Sequence, residues 1–272
     1  MDSRCFLRLS MFFHAILVPA CVAVSRPNLE LLGNSRSPLW RPNRMVDLSH
    51  HFNNSTIYWS EDGRFSLNVT IFNDTQEGWF QEDVIREPTH GGTHLDAPVH
   101  FYRGGISVAE IPLERMLGVP VATLDVRDKA ARNASYELSV GDLRAWEREH
   151  GRLPDGCLLF VNTGCVSKFW SNSSAYLGTD ADGVRHFPTV HPDAARFVAE
   201  KRRVYGVGID TASVDTTEPN LPHRLLFARD VYVIENLRNL DKVPPVGAHA
   251  IVSVLKIDGA SGSPARVVAI LP

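Results

Sequence analysis

Residues 88–102 read PTHGGTHLDAPVHFY, and within them three histidines and one aspartate fall at His90, His94, Asp96 and His100. Two glycines and a proline lie between these side chains and disfavour a helix, so we expect a loop or the end of a strand. In an extended segment, His94 and Asp96 project to the same side because they are two positions apart. The side-chain types and this spacing predict a site for a divalent cation such as Zn²⁺ or Mn²⁺.

His100 follows Asp96 by four positions, beyond the proline. It could be a fourth metal ligand, or an unligated general acid–base beside the metal. The competing interpretation is a set of histidines held by ordinary hydrogen bonds. That interpretation suits a single histidine better than it suits so tight a group.

A second candidate group lies late in the chain, where Glu235 interrupts the apolar run VYVIENL at 231–237. A carboxylate in such a strand is costly unless it is protonated, paired or bound to a cation. His223 lies twelve residues earlier and could share a cation with it. The alternative is an ion pair between Glu235 and Arg224 or Arg229.

The rest of the chain alternates short apolar runs with helical patterns. Ser139, Asp142 and Gly151 supply a capping box and a stop for a helix over 139–151. A second helix is expected over 191–202, with a proline in its first turn. Strands are predicted at 119–126, 157–164, 204–210, 231–237, 249–257 and 265–271. The pattern predicts a single α/β domain, residues 45–272, with a central sheet flanked by helices.

The composition is that of an ordinary globular protein, with 272 residues, 44% hydrophobic and 22% charged, and a net charge of −3. This charge gives no reason to expect a nucleic-acid partner or a polybasic membrane patch. The sequence has no G-x-S-x-G nucleophile elbow and no phosphate-binding P-loop. GVGIDT at 206–211 has Thr211 where a dinucleotide fingerprint needs glycine.

Beyond the first two dozen residues, the cysteines are Cys157 and Cys165. They flank an apolar, strand-like run. An extended run would hold their Cα atoms beyond the ~7 Å limit for a disulfide. We therefore predict two buried free thiols.

Residues 1–23 have the pattern of a secretory signal peptide, because Arg4 and Arg8 precede an apolar run that ends in small residues. The run is short for a membrane span, and an uncleaved signal anchor is the alternative. Residues 24–44, rich in Pro, Asn, Ser and Arg, are predicted to form an N-terminal arm.

Glycosylation sequons support the same interpretation. Six N-x-S/T sequons are present, at Asn53, Asn54, Asn68, Asn73, Asn133 and Asn172. This number is more than we expect of a cytosolic protein. We therefore expect a glycoprotein that is secreted or held in the lumen of the secretory pathway, without stable membrane insertion once the signal is removed.

The stretch HGGTHLDAPVH at 90–100 resembles the hallmark H-x-G-T-H-x-D-x-P-x-H of the cyclase family of metal-dependent hydrolases. That family includes bacterial-type kynurenine formamidases and isatin hydrolases. Other family-like stretches are DLSH at 47–50, NTGC at 162–165, GIDTASVD at 208–215 and HRLLFARDVYVIENLRNLDKVPP at 223–245. Together the similarity extends over nearly everything after residue 45.

The resemblance implies roles for both candidate groups. His90, His94 and Asp96 would bind a first metal, Zn or Mn, and Asp96 could bridge to a second, giving one or two metals per chain. His223 and Glu235 would complete the site. They would be ligands of a second metal, or polar groups beside a single one.

The resemblance also implies a swivelling-type α/β domain with a mixed, partly barrel-like sheet, and a homodimer or homotetramer. His100 would be the catalytic acid–base residue. One departure is that the family often has an aromatic residue after the T-G pair, where this chain has Cys165. Trp170 lies close by in the sequence and could take its place.

The chemistry that these features favour is hydrolysis of a small aromatic amide by a metal-activated water. The first hypothesis is conversion of N-formylkynurenine to kynurenine in tryptophan catabolism. The alternative is an isatin-type cyclic amide, which the C-terminal segment at 255–271 favours slightly. A second alternative is a secreted small-molecule-binding protein without turnover. Candidates to hold an aryl ring are Trp59, Phe65, Trp79, Phe80 and Trp170, although each alone fits an ordinary packing role better.

Overall fold

The structure, a computed structural model, describes residues 44–60, 63–75, 78–216 and 219–272. The predicted signal peptide, and the predicted arm apart from its last residue, lie outside the described residues. The described residues belong to one unit of the chain, Pro38–Pro272. None of the helices in these ranges is long and apolar enough to cross a membrane.

The secondary structure alternates strands with short helices. The strands are β1 (Met45–Asp47), β2 (Ser66–Thr75), β3 (Gly78–Arg86), β4 (His94–Asp96), β5 (Leu117–Asp125), β6 (Glu137–Leu138), β7 (Leu158–Asn162), β8 (Thr189–Val190), β9 (Gly206–Ile209), β10 (Tyr232–Glu235), β11 (His249–Val254) and β12 (Gly262–Ile270). The α-helices are α1 (Arg127–Ala130), α2 (Val140–His150), α3 (Cys165–Phe169), α4 (Ser173–Leu177), α5 (Pro192–Lys201) and α6 (Leu221–Phe227).

A mixed sheet forms the centre of the domain. Within the described ranges, its eight strands follow the order β1-β12-β11-β5-β7-β9-β10-β4. A further pairing between β12 and β4 closes all of them except β1 into a barrel-like sheet. The pairs β5–β7, β7–β9 and β9–β10 are parallel, and the other pairs are antiparallel. The predicted α/β class with a mixed, partly barrel-like sheet is confirmed.

The parallel strands are buried on both faces, which explains their continuous apolar sequences. In β7, Leu158 and Phe160 belong to the core inside the barrel. Leu159 and Val161 point the other way, into a second core under the helices. This outer core contains Trp146 and other apolar side chains of α2, α5 and α6.

Both predicted helices are confirmed, and their ends follow the expected chemistry. Ser139 caps α2 and forms a reciprocal capping box with Asp142, and Gly151 ends the helix with φ +88°. Pro192 occupies the first turn of α5.

The strand predicted at 157–164 is shorter than expected. β7 ends at Asn162 because Gly164, with φ +75°, turns the chain into α3. A buried carboxylate holds this turn. Asp210 accepts hydrogen bonds from the backbone N–H and hydroxyl of Thr163, both 2.7 Å, and from the N–H of Gly164, 2.8 Å.

The prediction of two free, buried thiols is confirmed for Cys157 and Cys165. Burial raises the pKa of each thiol to about 12. At neutral pH both are therefore protonated and poor nucleophiles.

The antiparallel hairpin β2–β3 was not anticipated from the sequence. Its apolar side chains Leu67, Trp79 and Ile85 are exposed. The sequon residue Asn68 lies on the same hairpin, paired opposite Val84.

The cap of α2 gives a testable prediction. Asp142 is almost fully buried and accepts hydrogen bonds from the hydroxyls of Ser139 and Tyr136 and from Lys129. Burial raises the pKa of Asp142, but these hydrogen bonds outweigh burial and bring it to about 2. Asp142→Ala should lower the free energy of unfolding by about 1–3 kcal/mol near pH 7.

Urea unfolding at pH 7 and pH 3 measures this effect. The folded-state pKa lies below the ordinary value of 3.8, so the contribution is present above that pH and is lost as pH falls toward 2. The difference between wild type and Asp142→Ala should therefore shrink at pH 3. Glu149→Ala, at an exposed position of the same helix, is the control. Equal stability of wild type and Asp142→Ala at pH 7 would contradict the prediction.

Candidate metal centre

Strand pairing brings the two candidate groups together. β4 carries His94 and Asp96, and it pairs antiparallel with β10 so that His94 lies opposite Glu235. On its other side β4 pairs with β12, with His94 opposite Pro264. Successive residues of a strand alternate between faces, so His94 and Asp96 project together as expected.

The first group of possible ligands consists of His94, Asp96 and Glu235, all buried. The Nε2 atom of His94 lies 3.2 Å from Oδ1 of Asp96 and 3.5 Å from Oε2 of Glu235. Glu235 does not form the alternative ion pair with Arg224 or Arg229. Glu235 instead faces the imidazoles of His94 and His223.

Helix α6 contributes His223 to the same point. Its Nε2 atom lies 3.4 Å from Oδ2 of Asp96 and 3.3 Å from Oε1 of Glu235. Its other nitrogen, Nδ1, lies 2.9 Å from Oδ2 of Asp215 and donates to it. Nε2 is buried and has no hydrogen-bond partner within the described ranges.

A second group shares Asp96 with the first and consists of His90, Asp96 and His100. Nδ1 of His90 lies 2.6 Å from Oδ1 of Asp96, and Nε2 lies 2.8 Å from the hydroxyl of Ser261. The rings of His90 and His100 are stacked, with centroids 3.9 Å apart. Gly262 makes room for this arrangement, because a Cβ atom there would lie 2.5 Å from the ring of His90.

The charges in this cluster shift one another's pKa. Burial raises the pKa of Glu235, and the charge of Asp96 raises it further. Burial acts on Asp96 in the same direction, but the neighbouring histidines, His94 above all, outweigh it and hold its pKa well below the ordinary value. Burial lowers the pKa of His94, but Asp96 outweighs it and the pKa is about 9. The cluster therefore favours bound positive charge.

The donor set fits a divalent cation. Nδ1 of His94 donates to the carbonyl of Gly92 at 3.0 Å, and Nδ1 of His223 donates to Asp215. This leaves Nε2 of both rings to face the carboxylates. Imidazoles whose second nitrogen is held by an acceptor are the usual metal ligands in proteins. The Nε2 atom of His223 is buried without a hydrogen-bond partner among the described residues, so it is the clearest candidate for a metal ligand in the cluster.

A cavity of about 360 Å³ opens onto the cluster. Its wall includes the aromatic side chains of Tyr58, Trp59 and Phe101. Trp59 is held from outside the cluster, because the guanidinium of Arg185 lies 3.6 Å from its ring centroid and Phe187 meets it edge-on at 6.2 Å. The cavity therefore joins a polar, metal-type cluster to an aromatic wall.

Of the aromatic residues predicted to hold a substrate, Trp59 lies in the wall of this cavity. The structure places the others elsewhere. Phe65 packs near Phe52, Trp170 stacks on His50 and lines a neighbouring cavity, and Trp79 lies on the exposed hairpin, as does Phe80. All six residues predicted to act at the metal do come together.

Sequence reasoning missed several residues of the site, among them Asp215, Phe101 and Ser261. Asp215 lies in the family-like stretch GIDTASVD, and its position there was the available signal. Phe101 follows His100 directly, and the two rings lie tilted against each other with centroids 4.1 Å apart. Ser261 comes from a turn before β12, and no local pattern marks it.

Comparison with known proteins gives one family. The model of the family described as "Putative cyclase" matches residues 46–216. Isatin hydrolase of Roseibium aggregatum is 33% identical over 67% of this chain and 72% of its own length. Kynurenine formamidase of Bacillus cereus is 28% identical over 82% of this chain and 95% of its own length.

A solved structure shows the same architecture. Isatin hydrolase A from Labrenzia aggregata, bound to benzyl benzoate, superposes with a TM-score of 0.76 at 33% identity. The match covers 84% of this chain and 93% of that one. The two chains therefore share nearly the whole domain.

The contact between Asp215 and His223 predicts the effect of a mutation on metal affinity. Asp215→Ala removes the acceptor that fixes the imidazole of His223, so the affinity for Zn²⁺ should fall by about 10–100-fold. Competition with a chromogenic chelator measures this affinity. Asp193→Ala is a matched control, because Asp193 is an exposed aspartate 3.7 Å from a histidine, His191, on the surface. Equal affinities of Asp215→Ala and wild type would refute the role of Asp215.

Proposed function

The chain belongs to the cyclase family of metal-dependent hydrolases, and on that basis we propose that it hydrolyses a small, uncharged cyclic aryl amide of the isatin type. It is a hydrolase, as its relatives named isatin hydrolase and kynurenine formamidase are.

The observation that carries this choice is the charge of the cavity wall. Among its described residues there is no lysine and no arginine, whereas Asp96, Asp215 and Glu235 all line it. N-formylkynurenine carries an α-carboxylate, and a buried carboxylate needs a cationic partner. Isatin is a neutral, planar bicyclic amide and needs none. The aromatic wall formed by Trp59 and Phe101 suits such a ring.

We assign the metal to the cluster around Asp96. The ligands would be His90, His94, Asp96, His223 and Glu235. A divalent cation held there would lower the pKa of a coordinated water from 15.7 toward about 7 and would polarise the amide carbonyl. Zn²⁺ and Mn²⁺ both suit a mixed imidazole and carboxylate set, and the shared position of Asp96 allows one or two ions.

His100 is the residue that would move the proton. Burial lowers its pKa to about 4, so its ring is neutral at pH 7 and can accept a proton. Stacking on His90 and contact with Phe101 hold the ring at the wall of the cavity. After accepting a proton, His100 can pass it to the nitrogen that leaves when the amide C–N bond breaks. A role as a further metal ligand remains the alternative.

A second candidate substrate is N-formylkynurenine. It is supported by the kynurenine formamidase of Bacillus cereus, which matches this chain over 95% of its length. The absence of lysine and arginine from the described residues of the cavity wall argues against it. A third alternative is a binding protein without turnover, although the cluster of six candidate residues is complete.

Steady-state assays with both substrates test the proposal. In the presence of Zn²⁺ or Mn²⁺, kcat/KM should be higher for isatin than for N-formylkynurenine by about 10²-fold or more, because the described part of the cavity wall offers no lysine or arginine to the α-carboxylate of N-formylkynurenine. His100→Ala should lower kcat by about 10²–10⁴-fold. A preference for N-formylkynurenine would overturn the choice of substrate.

Metal content of the same samples separates the remaining alternatives. His100→Ala should retain the metal if His100 is the acid–base residue, and lose part of it if His100 is a ligand. Wild-type protein with bound metal but no turnover of either amide would favour the binding protein.

The aromatic wall predicts a change in substrate binding. Trp59→Ala should raise KM for isatin by about 3–10-fold, because a fixed aromatic contact is worth about 0.5–1.5 kcal/mol. Trp79→Ala, on the hairpin, is the matched control and should leave KM unchanged. Steady-state kinetics of both variants measure the difference. An effect of equal size in the two variants would contradict the placement of the substrate at Trp59.

A further inference from the structure

We propose that Asn236 is a positioning residue that determines which nitrogen of His94 faces the metal. The inference rests on the metal role proposed above for His94. Asn236 is not itself a proposed metal ligand, and it is not part of any ligand-type pattern in the sequence.

Asn236 has a constrained place in the fold. It follows Glu235 directly at the end of β10, is almost fully buried, and has φ +57°. Asparagine is one of the few side chains that tolerate this left-handed conformation. Its backbone N–H donates to the carbonyl of Thr211 at 2.9 Å, and its carbonyl accepts from the hydroxyl of Thr93 at 2.8 Å.

The chemistry of its neighbours fixes the orientation of the side-chain amide. Nδ2 lies 2.7 Å from the carbonyl oxygen of Gly92, which can only accept a hydrogen bond. Oδ1 accepts a hydrogen bond from the hydroxyl of Tyr176 at 2.8 Å. Burial raises the pKa of Tyr176 well above its ordinary value, so the hydroxyl keeps its proton and stays a donor. The reverse orientation of the amide would place two acceptors against each other at Gly92.

The carbonyl of Gly92 links this amide to His94. It also accepts from Nδ1 of His94 at 3.0 Å. Since the carbonyl cannot donate, Nδ1 of His94 carries a proton whatever the state of the other nitrogen. Nε2 is therefore the nitrogen left to face Asp96 and Glu235. Asn236 holds the carbonyl that selects this tautomer.

The amide matters because it is one of two side-chain donors that hold the carbonyl of Gly92. Gly92 has φ +54°, and glycine is conformationally permissive. Without the hydrogen bond from Asn236, the carbonyl of Gly92 loses one of its two side-chain hydrogen bonds and can turn away from His94. The ring of His94 is then free to adopt either tautomer, only one of which presents Nε2 as a ligand.

Asn236→Gly is the informative substitution, because glycine keeps the left-handed backbone and removes only the side chain. The matched control is Asn239→Gly. Asn239 also has φ +57°, and its Nδ2 donates to a backbone carbonyl, that of Asp47, at 2.8 Å. It lies three residues further along the chain and is not in the wall of the cavity. Tyr176→Phe is a second, milder variant that removes only the hydroxyl.

Two measurements are made on each folded protein. Zn²⁺ affinity is measured by chelator competition. The tautomer of His94 is read from imidazole ¹⁵N chemical shifts in protein without added metal, at a pH above the His94 pKa of about 9, where the ring is neutral. Asn236→Gly should lose about 10–100-fold in Zn²⁺ affinity and show mixed tautomers of His94. Tyr176→Phe should change both readouts in the same direction by less. Asn239→Gly should match the wild type in both.

The outcomes distinguish this inference from the proposed function. If the wild type binds no Zn²⁺, the metal role fails, and the tautomer in Asn236→Gly still decides whether Asn236 positions His94. If the wild type binds Zn²⁺ and Asn236→Gly binds it equally with a single His94 tautomer, the inference is overturned. A loss of affinity of the same size in Asn239→Gly would also overturn it, because it would show a general effect of the glycine.

Discussion

The site depends on one buried carboxylate. Asp96 is 1% exposed, and its oxygens lie within 3.4 Å of nitrogens of His90, His94 and His223. A carboxylate at this depth is very costly unless positive charge accompanies it. The fold satisfies this requirement, because β4 itself carries His94, its partner strand β10 places Glu235 opposite His94, and α6 adds His223. The strand pairings that close the barrel therefore also assemble the candidate metal ligands.

The parts of the fold that rest on local signals could be predicted from the sequence. Helices α2 and α5 have caps that act within a few residues, and the buried strands have apolar sequences that identify them. The hairpin β2–β3 and the three-residue strand β4 could not be identified in this way. β4 is a strand because it pairs with β10 and β12, and pairing between distant segments is not visible in local composition.

The same distinction applies to the site. The spacing of His90, His94, Asp96 and His100 pointed to a metal, and the cost of burying Glu235 pointed to the second group. Side chains that act through another residue carried no such signal. Asp215 and Asn236 were missed because their importance lies in what their oxygens and amide contact, which only the folded chain shows. Similarly, four of the five aromatic candidates were indistinguishable by sequence from Trp59, and only the position of the cavity separates them.

The pairing of β4 has a consequence for the order of events in folding. Contacts of the site join residues 144 positions apart, Gly92 and Asn236, and 171 positions apart, His90 and Ser261. Contacts of such long sequence separation form late and slowly, because loop closure must precede them. During synthesis His90, His94 and His100 emerge early, but β12, which pairs with β4 and closes the sheet, is made long after them. The cluster is therefore not assembled on the nascent chain. Metal binding should follow the closure of the sheet rather than initiate folding.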